Sequence, residues 1–418
     1  MFKIIGAIFL TCIILSCANN KAANSSSTML ALATDTLPVP FATPSVRNNS
    51  KIIAWTENKT PVAPAGFKVT KFADALDHPR WIYVGANGDV FIAESNTASR
   101  GRSANRITLF RDSNKDGVAE SRHVFAQNLN QPFGMLTLNN SFYVANTDGL
   151  MQFDYKMGDT ALTSEGKKIV SLPAGGYNNH WTRNIITNTA GNKIYISVGS
   201  GSNVAERGLT NEIRRAGILE VNTDGSGERI FASGLRNPVG MDWAPGTQTL
   251  WTAVNERDGL GDELVPDYMT SVKDGAFYGW PYAYFGKTPD PRMKDTPRLD
   301  LVEKTILPDV DLGSHTASLG LAFYTGKSFP AQYRGGAFVA QHGSWNRSTL
   351  SGYKVVFVPF ANGKPTGKPQ DFLTGFIADS AKSEVYGRPV CVAWLGDGSM
   401  LVSDDGSNII WRVSAAGR

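Results

Sequence analysis

The chain has 418 residues, of which 42% are hydrophobic and 19% charged, and its formal net charge is +4. This composition is that of a globular protein with a large core, and it excludes a disordered or fibrous chain. The sequence lacks the clustered basic runs of a nucleic-acid-binding domain, so nucleic acid is not an expected partner.

Residues 1–17 resemble the signal peptide of a bacterial lipoprotein. Lys3 precedes the apolar run 4–15, which is too short for a membrane span and has the length of a secretory core region. Cys17 then follows a small residue, as in a lipobox, so we expect lipid at Cys17 and a location on the periplasmic or cell-envelope side. An ordinary signal peptide cut elsewhere is the alternative. Residues 18–64 predict a flexible tether followed by an extended arm that lies on the domain.

From residue 65 to 418 the sequence alternates short β-rich runs with Gly, Asn and Asp turns and shows almost no helical periodicity. One phrase recurs: a proline or small polar residue, an apolar run, a turn, and a second apolar run that ends in a polar loop. The copies occupy residues 78–83 with 89–95, 131–135 with 141–146, 180–185 with 193–198, 236–241 with 249–254, 316–321 with 336–340, and 387–392 with 399–404. They predict an all-β, six-bladed β-propeller in which each copy gives the two inner strands of a blade.

The propeller is predicted to close through an N-terminal strand. The run 67–72 would complete the blade that ends at 409–413, and closure would remove the exposed sheet edges. Because the six phrases share one polarity, the residues before each first strand would lie on one face of the ring. Four polar residues would converge there: Gln131, His180, Arg236 and His315.

Cysteine use limits the redox chemistry of the domain. Cys391 is the one cysteine after residue 64, and its apolar neighbours predict a buried, inert thiol. A disulfide within the domain is therefore excluded. A C-x-x-C-H motif is also absent from the sequence, so no haem is expected to be attached to this chain.

The segment 175–184 carries the strongest candidate for chemistry. His180 stands where a Gly-rich loop enters a predicted strand, and it is flanked by Asn, Trp and Arg. The chain has five histidines, so few side chains could act as a general base near neutral pH. The alternative is that His180 only hydrogen-bonds its own loop.

Several segments together resemble one family, the soluble pyrroloquinoline-quinone (PQQ) dehydrogenases of the glucose/sorbosone type. They are, in order, 178–184, 234–240, 255–264 with 277–281, and 315–321. The likeness covers roughly residues 64–418. Members are six-bladed propellers that bind PQQ and calcium on one face and oxidise sugars. The resemblance therefore implies oxidation of an aldose or related sugar.

The resemblance also implies residue roles. His180 matches the base that takes the hydroxyl proton while hydride passes to PQQ, and Arg236 matches the arginine beside the quinone carbonyls. Six residues match or fall near positions that bind the cofactor: Gln131, Arg183, Asn237, Lys327, Arg347 and Lys354. The segment at Arg257 and Asp258 aligns with the one whose backbone carbonyls hold calcium. Three residues are expected to face the sugar: Trp181, His315 and Trp345.

These roles agree with the chemistry of the ligands. PQQ is a planar tri-acid and needs several cations, and calcium is a hard ion that prefers oxygen ligands. Two departures from the family stand out. The better-known glucose enzymes have Gly-Pro where this chain has Arg257-Asp258, so the Asp258 side chain is a second candidate ligand. Arg183 also stands one position closer to His180 than the corresponding arginine does in that family. Because the chain has no haem-attachment motif, the electrons taken from the sugar would pass to a separate acceptor.

A second metal motif is weaker. The run 112–117, Asp-Ser-Asn-Lys-Asp-Gly, resembles the first half of an EF-hand loop, but its twelfth position is His123 where an EF-hand has Glu. An EF-hand is therefore rejected. A turn stabilised by Asx side chains is expected, with a second calcium site as the alternative.

Two other functions stay open on the sequence alone. A calcium-dependent propeller lactonase would need a central site of Asp, Glu and Asn ligands, to which Asn146, Asn237 and Asn255 could contribute. A non-enzymatic propeller that binds a sugar or protein would make the His and Arg constellation incidental.

Overall fold

The computed structural model describes residue 1 and residues 37–56, 58–97 and 103–416. Cys17 and, apart from residue 1, the predicted signal peptide lie outside the described residues, as does the tether before residue 37. The described residues from 37 onward belong to one compact unit, Leu32–Arg418. In this described part, no helix is long and apolar enough to span a membrane.

The described chain is all-β, as the sequence predicted. Within it, α-helix is confined to Leu299–Val302, beside three 3-10 turns at Leu209–Glu212, Pro291–Met293 and Ala331–Tyr333. Short β-branched and aromatic runs between turn residues favour strands over helices.

Six sheets of four or five strands make up most of the structure, and we number them along the chain. Sheet 1 contains Pro79–Val84, Val90–Glu94, Arg106–Arg111 and Ser121–Ala126. Sheet 2 contains Met135–Leu138, Ser141–Asn146, Gly149–Asp154 and Lys167–Ser171. Sheet 3 contains Arg183–Thr187, Lys193–Val198, Gly217–Asn222, Arg229–Ser233 and Ala276–Phe277.

The remaining three sheets follow the same order. Sheet 4 contains Pro238–Trp243, Leu250–Val254, Pro266–Val272 and Val310–Ser314. Sheet 5 contains Ser318–Phe323, Ala337–Gln341, Lys354–Val358 and Gln370–Leu373. Sheet 6 contains Pro389–Trp394, Met400–Asp404, Ile409–Ala415 and Phe67–Ala73. Smaller sheets join Lys51–Ile52, Glu384–Val385 and Ile377–Asp379, then Ala283–Tyr284 with Thr288–Pro289, and Phe360–Ala361 with Lys364–Pro365.

Each repeated phrase of the sequence forms the first two strands of one sheet, paired antiparallel. The N-terminal strand Phe67–Ala73 pairs antiparallel with Ile409–Ala415, as expected. The first and last strands of this domain therefore share a sheet.

Neighbouring sheets meet through their first strands. A Cβ atom on Gly240 would lie 2.4 Å from the carbonyl oxygen of Leu319, and one on Gly320 would lie 2.6 Å from that of Val390. The glycine of the repeated phrase is therefore needed for close backbone approach. Other contacts between neighbours are Asn184 Nδ2 to Val239 O (2.9 Å), Gly134 N to Arg183 O (2.9 Å), Ser95 Oγ to Pro132 O (2.7 Å) and Ser403 Oγ to Arg80 O (2.7 Å).

The core lies between the sheets. The Phe91 and Phe142 rings of sheets 1 and 2 are 5.0 Å apart between centroids, and similar clusters fill the other gaps. Cys391 is buried and unpaired in this core, and burial raises the pKa of its thiol to about 12.

Residues 51–55, which come before the strand Phe67–Ala73 in the chain, lie along the outside of the domain. Lys51–Ile52 pairs in parallel with Glu384–Val385. Trp55 stacks on Tyr386 with ring centroids 4.7 Å apart and meets Trp411 edge-on. The segment is therefore fixed to the domain by both backbone and aromatic contacts.

Candidate functional site

The polar motif residues lie at one end of the sheets because of the directions in which the strands run. His180, Arg236 and His315 each precede the first strand of a sheet, and residues 255–258 follow the second strand of sheet 4. Because the first two strands run antiparallel, these positions share one end, which we call the site face.

His180 has its tautomer fixed by its partners. Its Nδ1 lies 2.8 Å from the carbonyl oxygen of Ser200 and 3.0 Å from Ser200 Oγ. The hydroxyl hydrogen of Ser200 is donated to Ser202 O, at 2.6 Å, so both Ser200 oxygens accept from the imidazole. Nδ1 therefore carries the hydrogen and Nε2 is the basic nitrogen. Asn179 Nδ2 lies 3.5 Å from Nε2.

The imidazole is held neutral by its surroundings. Burial, and then the positive charge of Arg236, lowers the pKa of His180 to about 3. The side chain is half-buried, so Nε2 can still be approached. A neutral imidazole whose Nε2 carries no hydrogen is the form that accepts a proton.

Arg183 holds this loop in place. Its Nη1 donates to His180 O and Thr182 O, both at 2.8 Å, and its Nη2 donates to Pro173 O at 2.7 Å. The side chain is fully buried. Both terminal nitrogens of Arg183 are therefore used by the histidine loop, while its Nε is buried without a hydrogen-bond partner; the cofactor contact expected of Arg183 stays a prediction.

Arg236 lies beside His180 and is almost completely buried. Its Nη1 donates to the carbonyl oxygens of Asn255 and Glu256, and its Nη2 lies 3.2 Å from Asp258 Oδ2. A Cβ atom on Gly199 would lie 2.3 Å from Asn237 Oδ1 and 2.5 Å from His180 Cβ. Gly199 therefore separates the histidine from the Arg-Asn pair. Asn237 Oδ1 is buried without a hydrogen-bond partner.

Asn203 organises the site and was missed by the sequence reasoning. Its Oδ1 accepts from Arg236 Nη2 at 3.0 Å and from the Asp258 amide at 2.9 Å. Its Nδ2 donates to Asp258 O at 3.0 Å, and its carbonyl accepts from Arg236 Nε and Trp280 Nε1. Ser200 and Asn203 follow directly on the strand Lys193–Val198, in the run Gly-Ser-Gly-Ser-Asn. This polar run directly after a strand is the sequence feature from which a role for Asn203 could have been predicted.

The predicted metal segment is already hydrogen-bonded. Arg257 is turned away into the interior, where its Nε lies 2.9 Å from Asp290 Oδ2, and burial lowers its pKa to about 10. Asp258 O accepts from Asn203, and Asp258 Oδ1 accepts from Asn346 Nδ2 at 2.6 Å. Burial raises the pKa of Asp258, but Arg236 and its hydrogen bonds lower it overall to about 2. Asp258 is thus an anion paired with a guanidinium.

His315 and Arg347 support this segment. His315 Nε2 donates to Gly261 O at 2.8 Å, and its Nδ1 accepts from Asn346 at 3.1 Å, so both ring nitrogens are used. Burial lowers the pKa of His315, but Asp258 and Gly261 raise it overall. Arg347 donates from Nε to Asp262 O at 3.1 Å and pairs with Glu263. Both side chains are therefore engaged by protein groups, and the sugar contact expected of His315 and the cofactor contact expected of Arg347 stay predictions.

Two lysines do not join the site. Lys327 is exposed and follows Ser318–Phe323 at the end opposite His315, about 20 Å away for a strand of that length. Lys354 lies on the third strand of sheet 5, where it pairs with Asp371 on the fourth strand. Strand polarity thus places Lys327 on the far face, and the ammonium of Lys354 is held by Asp371; the cofactor contact expected of Lys354 stays a prediction.

A cavity of about 400 Å³ opens on the site face. It is lined by Arg47, Asn49, Ser50, Ile52, His78, Asn96, Trp345, Arg388, Asp405 and Gly406. Trp345 is 40% exposed, and its neighbour Asn346 is the residue that bonds Asp258. Gln131 donates from Nε2 to Asn96 O at 2.7 Å. Asn346 therefore links the Trp345 wall of the cavity to Asp258, whereas His180, Arg236 and Asn237 are not among the residues that line it.

Trp181 is a packing residue in this structure. It is buried, with its ring 5.5 Å from the Arg80 guanidinium and edge-on to Phe133. Arg80 in turn pairs with Asp405 of the cavity. Trp345, by contrast, presents a partly exposed ring.

The weaker metal motif brings three carboxylates together. Ligand atoms of Asp112, Asp116 and Glu120 lie within 4.8 Å of one another. They accept the backbone amides of Gly117, Val118 and Ser113 respectively, which is the turn-stabilising role expected of them.

Comparison with known proteins identifies relatives of this chain. A family model described as TrAA12-like matches residues 61–274 and 291–416. An uncharacterized protein of Borreliella burgdorferi is 30% identical over 379 residues, which cover 87% of this chain and 93% of the relative. A pyrroloquinoline quinone-dependent pyranose dehydrogenase of Coprinopsis cinerea is 24% identical over 83% of this chain; this chain spans about half of it, 54%.

Solved structures share the fold. The holo form of the pyranose dehydrogenase PQQ domain from Coprinopsis cinerea superposes with a TM-score of 0.71 at 21% identity, covering 86% of this chain and 98% of that one. A calcium structure of the Trichoderma reesei carbohydrate-active enzyme family AA12 superposes with a TM-score of 0.70 at 17% identity, covering 88% and 99%. With the family model matching most of the sequence, the chain belongs to the TrAA12-like family, which confirms the resemblance to quinoprotein sugar dehydrogenases.

Proposed function

We propose that the six sheets are the blades of a six-bladed β-propeller that the strand Phe67–Ala73 closes. Contacts between each sheet and the next, and between sheets 6 and 1 at Ser403 and Arg80, support this proposal. The pairing of Phe67–Ala73 with Ile409–Ala415 supports closure, because it joins the two ends of the domain in one sheet.

We propose that this protein oxidises an aldose or related sugar with PQQ as cofactor and with His180 as the general base. The observation that carries the proposal is the fixed tautomer of His180, whose Nδ1 is held by Ser200 O and whose Nε2 is left as the proton acceptor. In this account Nε2 takes the proton of the sugar hydroxyl. PQQ, when bound, would supply the hydride acceptor.

The residues around the base fit a planar, triply anionic quinone. Arg236 would offer positive charge near the oxygen where negative charge develops. Asn237 Oδ1, buried without a partner, would accept from a donor on the ligand. The cavity of about 400 Å³ is within the usual range for small-molecule sites. Arg388, which donates to His342 O and Gly343 O, would add a second cation.

Calcium fits less well at the segment predicted for it. The carbonyls of Asn255 and Glu256 and the carboxylate of Asp258 are bonded to Arg236, whose charge would repel a divalent cation. An ion at Asp258 would require Asp258 to exchange that bond, so we assign no step to calcium. Arg236 also donates to Asn255, which could contribute to the calcium centre of a lactonase. The charge of Arg236 would therefore disfavour calcium in that centre too.

Reconstitution tests the proposed function. The purified chain is loaded with PQQ, with and without calcium, and reduction of a dye acceptor is followed against a panel of sugars. PQQ-dependent dye reduction that is lost in His180→Ala is the expected result. Lactone hydrolysis without PQQ would instead indicate the hydrolase, and sugar binding with neither activity would indicate a binding protein.

We also propose that the protein is anchored through a lipid on Cys17 at the cell envelope and that it passes its electrons to a separate acceptor. The lipobox-like sequence at Ser16-Cys17 and the absence of a haem motif from the sequence support these proposals. Labelled palmitate should be incorporated in the native chain and not in Cys17→Ser; equal labelling of both would contradict the anchor.

A further inference from the structure

The segment that precedes the family-matched region reaches the site face. The family match begins at residue 61, but four residues before it line the cavity beside the candidate site: Arg47, Asn49, Ser50 and Ile52. This part of the chain, residues 41–52, we call the arm. It adds a wall to the cavity that the family-matched region does not supply.

The arm is anchored firmly before the cavity. The amide of Phe41 donates to Leu260 O at 2.7 Å. The amide of Asp262 donates to Thr43 Oγ1, also at 2.7 Å. These bonds attach the arm to the loop that contains Asp258, on one side of the cavity.

The arm is anchored again directly after Arg47. The amide of Asn48 donates to Trp345 O at 2.7 Å, and its Nδ2 donates to Arg347 O at 3.1 Å and Ser348 O at 3.0 Å. Asn48 Oδ1 also accepts from Ser383 Oγ at 2.6 Å. Asn48 therefore fixes the position of the neighbouring arginine relative to Trp345.

Arg47 presents its charge without a partner in the protein. Its guanidinium carbon lies 5.8 Å from the centre of the Trp345 ring, and the side chain makes no hydrogen bond or ion pair with any described residue. A guanidinium held on an aromatic ring, with its five donors unused, is ready to bind a carboxylate in a bidentate manner.

The other charges of the cavity favour an anion. Asp405 is its one acidic lining residue among those described, and that carboxylate is already paired with Arg80 and with His342 Nε2. Arg388 also lines the cavity. Arg47 therefore adds positive charge to a cavity whose one described acid is already paired.

We propose that Arg47, carried by the arm, is a binding residue for a carboxylate group of the ligand that fills this cavity. The inference rests on the proposed function and extends it to residues that precede the family-matched region. The carboxylate could be one of the three on PQQ or that of an acidic sugar such as a uronic acid, and the two sources give different experimental results.

The test compares the full chain with Arg47→Gln. Binding of PQQ and of its uncharged trimethyl ester is measured by equilibrium dialysis, and KM is measured for glucose and for glucuronate in the loaded enzyme. The matched control is Arg122→Gln, which removes another exposed arginine that lies over an aromatic ring, Phe110, at 5.5 Å. Asn48→Ala, which releases the anchor, is a second variant and should reproduce the effect of Arg47→Gln.

A partly exposed charged pair is worth up to about 1 kcal/mol, which corresponds to roughly a fivefold change in affinity. If the carboxylate belongs to PQQ, Arg47→Gln weakens PQQ binding by about that factor and leaves ester binding unchanged. If it belongs to the sugar, the KM for glucuronate rises by that factor relative to glucose and PQQ binding is unchanged.

Two failures are distinguishable. Wild-type chain that binds PQQ and oxidises glucose, with Arg47→Gln equal to it in every measurement, overturns the role of Arg47 alone. Wild-type chain that neither binds PQQ nor oxidises any sugar overturns the proposed function, and this inference with it.

Discussion

Two histidines on the site face have similar pKa values and different chemistry. Burial lowers the pKa of both His180 and His342 to about 3, with Arg236 and Arg388 respectively as the second cause. His180 gives its Nδ1 hydrogen to a neutral carbonyl and leaves Nε2 as an acceptor. His342 instead donates from Nε2 to the Asp405 carboxylate at 2.7 Å.

The difference shows that the partner of an imidazole matters more than its pKa. A depressed pKa keeps both rings neutral near pH 7, but of the two only His180 combines an unprotonated Nε2 with a half-buried side chain that a substrate can approach. His342 is buried and paired with an acid that also binds Arg80, so it belongs to a structural network. The predictions below test this contrast.

The largest effect is expected for His180→Gln. Removing a general base costs about 10³-fold in kcat/KM for sugar oxidation. The side chain is half-buried, and we expect the melting temperature to stay near that of wild type. Steady-state kinetics and a thermal melt on the same preparation check this. Activity within tenfold of wild type would remove His180 from the mechanism.

Arg236→Gln should have the next largest effect. The change removes the charge near the reacting oxygen, which is worth about 10²-fold in kcat. It also leaves the half-buried Asp258 without its cation, at a cost of about 3 kcal/mol in the free energy of unfolding. Urea denaturation should detect this loss, while the exposed control Arg122→Gln should change stability by less than about 0.5 kcal/mol. If Arg236→Gln were as stable as wild type, the hydrogen bonds and ion pair described for Arg236 would not stabilise the fold.

Asn203→Ala should reduce kcat by roughly tenfold, because misplacing Arg236 and Asp258 by a fraction of an ångström weakens a preorganised site. The effect should appear mainly in kcat, since Asn203 makes its bonds to protein groups. Asn211→Ala, an exposed asparagine on the same loop, is the control. Equal kcat values for the two variants would show that Asn203 has no positioning role.

The smallest effect on activity is expected for His342→Gln. We expect kcat/KM to change by less than about threefold, while the free energy of unfolding falls by about 1–3 kcal/mol because Asp405 loses a buried donor. A loss of activity as large as that of His180→Gln, in a variant of wild-type stability, would erase the distinction between the two histidines.

The fold was more predictable than the site. Repeated apolar runs such as 236–241 with 249–254 report strand pairing directly, because side-chain alternation and turn residues are local properties. The position of His180 on a loop before a strand was readable for the same reason. The pairing of Phe67–Ala73 with Ile409–Ala415 was predictable because an unpaired strand edge needs a partner.

The partners of the site residues were not readable in this way. The resemblance implied cofactor contacts for Arg183, Arg347 and Lys354, and in the structure each of these side chains also bonds nearby protein groups. Asn203 was missed because an asparagine in a Gly-Ser run has no local feature that distinguishes a hub of five hydrogen bonds from a turn. Long-range pairing of polar groups depends on packing, which sequence spacing does not report.

The central claim is that His180 is a neutral base with hydrogen on Nδ1, and imidazole ¹⁵N NMR measures this directly. Five histidines make the spectrum tractable, and His180→Gln assigns the signal. Because the folded pKa is depressed to about 3, the account predicts a protonated Nδ1, a bare Nε2 and no titration of His180 between pH 5 and pH 8. Titration with a midpoint near the ordinary histidine value of about 6.5, or a hydrogen on Nε2, would contradict it.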